Sequence, residues 1–261
     1  LSTSGSSGGG SYHGIVSLSL TTTQLGSQHT IAAAFVDASS PIPIDLSDCT
    51  GGTVFGECCY RSNGGNSGSS GSSGSTTTGG NGNQYSAGVI TLADGTSSLG
   101  TLTPNNNGSY PVVTNQTWNA GDTLSANAAG DVVHTFQGTV TAPTGVSITA
   151  PTGSGALGLA SVSTSQPLLV SWSGAGGDKI YVVLTGLSGA SLTCTCDLHG
   201  TNACKTSNTL TLQGAALANF AGQAGGLLGV AKANELQLTS NTDQVVLSSS
   251  TQTGLGVQFT Q

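Results

Sequence analysis

Cys194-x-Cys196-x-x-His199-x4-Cys204 gathers three thiols and an imidazole within eleven residues, the ligand types of a tetrahedral zinc site. A Cys-x-Cys step on an extended strand puts both sulfurs on one face, and a hairpin returning Cys204 would complete the set. A second triplet, Cys49, Cys58 and Cys59, changes the balance. Leu192 and Leu198 share a face with Cys194 and Cys196, so the sulfurs point into a core, and six cysteines in two groups of three read as disulfides of an oxidising compartment. Locality favours bonds within each triplet. Three is odd, so either one bond joins the groups or each keeps a free thiol. Adjacent Cys58 and Cys59 point to opposite faces if extended and take different partners.

Other chemistry is weaker in its context. Gly153-x-Gly155-x-x-Gly158 matches a dinucleotide fingerprint, with Asp178 where a ribose-binding acid would stand. The following LASVSTSQP, closed by Pro167, forms no helix to receive a pyrophosphate, so a linker turn is expected. Gly5-Ser6-Ser7-Gly8-Gly9 has the spacing of a nucleophile elbow but no preceding strand to strain it. His13, His29, His134 and His199 are candidate bases for a hydrolase. His134 alternates with Val132 and Phe136 and is read as a buried structural imidazole; no catalytic residue is assigned. Asp37, Asp45 and Asp48, near Pro41 and Pro43, could hold calcium, although solvated turn acids are the default and no cofactor is required. Trp118 beside a polar turn, together with Tyr110, is the candidate sugar contact, and Trp172 is a core residue.

These residues are carried by a chain of 261 residues with 41 glycines, 4 Lys and Arg, and 11 Asp and Glu, a net charge of −7. Charged residues make up 6% of the chain, against roughly 25% in ordinary soluble domains, so its polar surface consists of hydroxyls and amides. Four cations cannot neutralise a phosphate backbone, which excludes nucleic acid as a partner, and no apolar run approaches the ~20 residues of a membrane helix. With no Met and Leu1 first, any export signal is expected to have been removed or to lie outside the sequence.

Alternation of period two recurs along the chain: Val16, Leu18, Leu20; Ile31, Ala33, Phe35; Val132, His134, Phe136, Val140; Leu168, Val170, Trp172; Ile180, Val182, Leu184; Leu255, Val257, Phe259. Asp94-Gly95, Asn107-Gly108, Ala120-Gly121-Asp122 and Gly176-Gly177-Asp178 mark turns between them. The pattern predicts an all-β protein of two antiparallel β-sandwich domains, Ig-like or jelly-roll-like. Residues 1–10 form a flexible lead and 11–150 the first sandwich, with a Gly/Ser-rich insertion at 62–84; 151–261 form the second. Leu217, Phe220, Ala221 and Ala224 predict one short helix near 213–224.

The runs AGVITLADGTSSLGTLTPNNNGSYPVVT, AGDTLSANAAGDVVHTFQGTVTAPTGVSITAP and PLLVSWSGAGGDKIYVVLTG give residues 85–221 a cadence that resembles secreted two-part β-sandwich proteins of myxobacterial cell surfaces. The resemblance implies export and an all-β fold and assigns no functional residue. A lipobox cysteine at Leu1 is lacking. The expectation is an extracellular or cell-surface structural protein, a filament subunit or adhesin; a carbohydrate-binding module with a glycan partner is second and a secreted hydrolase third. Val16, Leu18 and Leu20 are the candidate assembly strand, forming a homo-polymer by strand exchange or edge pairing.

Overall fold

The computed structural model describes residues 10–23, 26–38, 49, 52–62, 83–155, 157–174, 176–199, 204 and 207–261. Asp45, Asp48 and nearly all of the Gly/Ser-rich insertion lie outside them. The described chain is mostly strand. In order these are β1 (Tyr12–Thr23), β2 (Gly26–Asp37), β3 (Thr53–Phe55), β4 (Cys58–Arg61), β5 (Ile90–Asp94), β6 (Ser97–Leu102), β7 (Thr123–Ala128) and β8 (Phe136–Thr141). They continue with β9 (Ser147–Ala150), β10 (Ala160–Ser163), β11 (Leu168–Ser173), β12 (Lys179–Gly186), β13 (Ser191–Asp197), β14 (Thr209–Leu212), β15 (Gly225–Ser240) and β16 (Asp243–Thr260). The expected helix is one α-turn, Gly214–Leu217, extended by a 3-10 turn, Ala218–Phe220, that buries Leu217 and Phe220.

One large sheet runs β2-β1-β16-β15-β12-β13-β4-β3, with β10 added along the far part of β16. Two small sheets accompany it, β6-β5-β7-β8 and β14-β11-β9. Most pairings are antiparallel, but β1 and β10 both run parallel to β16, which the expectation of an antiparallel fold did not include. Alternation dictates the small sheets directly. In β8, Phe136, Gly138 and Val140 are buried while Gln137, Thr139 and Thr141 are exposed, and Gly95 and Gly121 supply the positive φ their turns need. Val132 and His134 precede β8 in a bend, so the alternation expected to include them begins only at Phe136; Val133 is the buried residue there.

The β15–β16 hairpin is the spine. Its two-residue turn places Asn241 in the left-handed region, φ 57°, which Asn tolerates better than most residues. Leu228 and Val230 enter one hydrophobic core with Trp172, Leu192 and Phe220, and Leu236 and Leu238 pack on another with Phe35, Trp118 and Phe136. All four leucine and valine positions are even, and the hairpin register is unbroken, so both cores lie on one face of the spine. Between them that face is polar: Lys232, Ser249 and Thr251 are all buried. Lys232 Nζ donates to Thr144 Oγ1 at 2.6 Å, and Asn234 Nδ2 donates to the Thr141 carbonyl, tying the β8–β9 connection across this waist.

Chain segments from either side of residues 149–158 contribute to each core. β1 and β2 pack with the start of β16, and β4 joins β13. Gly14 on β1 leaves room for the Phe35 ring, which a Cβ at that position would strike.

Candidate functional site

β13 alternates Leu192, Cys194 and Cys196 toward the core with Thr193, Thr195 and Asp197 on the opposite, outer face of the large sheet. β12 places Lys179 and Tyr181 on that face, with Lys179 opposite Asp197 and Tyr181 opposite Thr195. β4 aligns Cys58 with Cys194 and Cys59 with Thr193, so Cys58 faces the core and Cys59 faces out. The bonds follow: Cys58–Cys194 lies in the core, Cys49–Cys59 on the outer side, and Cys196–Cys204 closes the third. The two cysteine groups are thus joined by one bond and neighbouring cysteines have different partners. No free thiol remains among the described residues.

A groove of about 400 Å³ opens on this outer face. Thr193, Thr195, Asp197 and Lys179 line it from the sheet, and Val54, Gly56, Glu57 and the Cys49–Cys59 bond line it from the β3–β4 side. Thr195 donates its N–H to the Glu57 carbonyl at 3.2 Å, but its hydroxyl oxygen is buried without a hydrogen-bond partner. A network borders the groove. Lys179 Nζ lies 2.8 Å from Glu235 Oε2, and the Tyr181 hydroxyl donates to Glu235 Oε1 at 2.7 Å. Asp178 accepts the Glu235 N–H at 2.8 Å and pairs with His199 Nε2 at 2.7 Å, while Asp197 accepts the His199 N–H at 2.8 Å. Asp178 is therefore a fastener between β12, β15 and the segment after β13.

The residues expected to carry function are placed elsewhere. Trp118 and Tyr110 are 5% and 9% exposed, which corrects their expected role as a sugar platform. Trp118 meets His29 edge-on at 4.4 Å. The Tyr110 hydroxyl donates to the Gly88 carbonyl and accepts the Ala87 N–H, and burial raises its pKa. Val16 and Leu18 are fully buried and Leu20 is half-buried, on a strand whose two edges are taken by β2 and β16. Strand exchange through β1 alone is thereby corrected: β1 already completes its own sheet, the pairing that sequential strands favour.

His134 is not buried either. Its side chain is 44% exposed, and Nδ1 lies 2.7 Å from the fully buried Asp243 carboxylate. Asp243 also accepts the backbone N–H of His134 and of Tyr12, and Asn241 Nδ2 lies 3.0 Å from His134 Nε2. The arrangement joins the entry to β1, the hairpin turn and the approach to β8. Sequence reasoning missed Asp243, whose partners lie 109 and 231 residues away. His13 faces Gln244 across β1 and β16. Asp37 closes β2 opposite Tyr12, and its proposed companions lie outside the described residues. Among the described residues no three metal-ligating side chains gather, and no helix is long and apolar enough to cross a membrane.

No family model and no curated protein matches the chain. A solved structure described as "Structural insight into host cell surface retention of a 1.5-MDa bacterial ice-binding adhesin" is similar at 12% identity and a TM-score of 0.23, over 96% of this chain and 66% of that one, just under two thirds of its length.

Proposed function

We propose that this is an exported, non-enzymatic protein with a structural or adhesive role outside the cell or at its surface. The observation that carries the reading is the set of three disulfides, which includes a bond across 136 residues between β4 and β13. Such bonds persist in oxidising compartments and are rare in the cytosol. A surface of hydroxyls and amides, with charge in only 6% of residues, supports the same setting, because it relies little on charge repulsion for solubility. With β1 engaged on both edges, polymerisation through that strand is not part of the proposal.

Immunolabelling of intact and permeabilised cells of the native source tests it. The expected result is equal labelling in both, together with no reactive thiol in the purified, unreduced protein. Label that requires permeabilisation, or thiols that react freely before reduction, would overturn the reading.

A further inference from the structure

We infer that the outer face of the large sheet, at the end where β12 turns into β13, docks on a neutral lipid surface, the zwitterionic face of a bilayer. The inference goes beyond the compartment and role proposed above, and the two stand or fall separately. Leu187, Leu227 and Leu159 form a row there across β12, β15, β16 and β10, which are neighbours in the sheet. Leu227 lies between Thr185 and Gly256 in the register and next to the buried Leu228, so it points outward, 41% exposed. Leu187 donates its N–H to the Gly225 carbonyl at 3.1 Å, which extends the β12–β15 ladder and sets Leu187, 77% exposed, diagonally beside Leu227. On the other flank Leu159, just before β10, rests where a Cβ on Gly256 would be. Leu157, also 77% exposed, tips the turn that leads into it.

Single exposed leucines are ordinary on a protein surface, but a contiguous row without charge is not. Residues 151–177, 180–196, 206–231 and 244–261, which supply most of the core around Trp172 and Phe220 and this end of the sheet, contain no Asp, Glu, Lys, Arg or His. Arg61, opposite Ser191, is the charge that the strand register brings nearest among the described residues. The leucine-bearing turns also bond their own backbone. Gly189 donates its N–H to the Gly186 carbonyl at 2.9 Å, Ser154 to the Leu159 carbonyl at 2.9 Å, and Gly158 to the Gly155 carbonyl at 3.2 Å. As the leucines enter an apolar medium, few charges and few free amides are stripped of water with them. The leucines together expose less than the roughly 800 Å² per partner of a stable protein interface, so they do not hold a second copy. Two of them stand on turn tips, a shape that a fluid surface accommodates. A net charge of −7 sets the chain against anionic headgroups, which leaves a neutral lipid as the occupant.

Flotation of the oxidised full chain with phosphatidylcholine vesicles tests the surface. Wild type is expected to float with the lipid at low and high salt alike, and Leu157→Ser and Leu187→Ser are each expected to lower the partition coefficient about tenfold. Leu169→Ser, 52% exposed on β11 at the far side of the same core, should leave it unchanged. Both tested leucines are exposed turn residues, and an unaltered thermal midpoint establishes that each variant is folded. Leu187→Trp gives an independent reading, because the native Trp118 and Trp172 are buried: its emission should shift to the blue when vesicles are added. Wild type that does not float, flotation that needs anionic lipid, either turn variant floating like wild type, an equal loss in Leu169→Ser, or an unshifted Leu187→Trp emission would each overturn the inference. So would a vesicle-free dimer that Leu187→Ser dissociates, which assigns the row to a second copy. A failed flotation leaves surface location untouched, and a cytoplasmic location leaves the flotation untouched.

Discussion

Replacing both members of each disulfide by alanine, pair by pair, should separate the three bonds by the length of chain they close. Cys58–Cys194 spans 136 residues, whereas Cys49–Cys59 and Cys196–Cys204 span 10 and 8. In the chain-entropy account the long bond is worth about 5 kcal/mol, and each short one about 2.5 kcal/mol. Removing sulfur also costs packing. Cys58 and Cys194 are 5% and 0% exposed, and Cys196 and Cys204 are 0% and 4% exposed, so that cost is similar for these two pairs and cancels between them. The predicted difference between Cys58→Ala/Cys194→Ala and Cys196→Ala/Cys204→Ala is therefore about 2.5 kcal/mol. Guanidinium unfolding of the oxidised variants measures it. The slope against denaturant should rise most for the long pair, because its denatured chain expands most, so free energies extrapolated to water are the quantities to compare. Costs equal to within about 1 kcal/mol would refute the reasoning, and would mean that restraint of the unfolded chain does not set the ranking.

Two further perturbations probe the joints of the fold. Asp243→Ala removes the buried acceptor of the Tyr12 and His134 N–H groups and should cost about 2–5 kcal/mol in urea unfolding, whereas His134→Ala, at an exposed partner, should cost less than about 1 kcal/mol. Equal costs would mean that the imidazole rather than the backbone donors holds the joint. Burial lowers the pKa of Lys232 from its ordinary 10.5, so the unfolded chain binds more protons between the lowered value and 10.5, and stability should increase as pH rises through that window. Lys232→Met should remove that component of the pH dependence. A wild-type stability that falls across the window and an identical slope in Lys232→Met would contradict this.

Much of the strand content was legible because period two is a local signal: β11, β12 and β13 show it within six to eight residues. Partners were not, because pairing depends on register between segments with no sequence link. Nothing near Tyr12 announces that β1 lies parallel to a strand beginning at Asp243, and nothing near Cys58 names Cys194. Phase was also fragile. Val132 and Val133 are both apolar, and the bend before β8 buries the second, which moves His134 out of the core. The groove escaped notice because Thr193, Thr195 and Asp197 look like the solvated side of any half-buried strand; only cross-strand register brings Lys179 to them. Trp118 misled for the opposite reason: its polar neighbours suggested exposure, while the ring turns inward against His29.

The parallel pairing of β1 with β16 has a mechanical consequence. Tyr12 enters the sheet beside Asp243, at the start of β16, and the chain leaves at Thr260, the other end of the same strand, about 60 Å away for 18 extended residues. Tension between these two points runs along the strands rather than across them. The ladder from His13–Gln244 to Thr22–Thr253 is then loaded in shear, so its hydrogen bonds resist together instead of opening one at a time as they would in a hairpin pulled from its open end. Because β16 also carries β15, and through it both cores, the load passes through one continuous spine and not through the thin connection at residues 142–146.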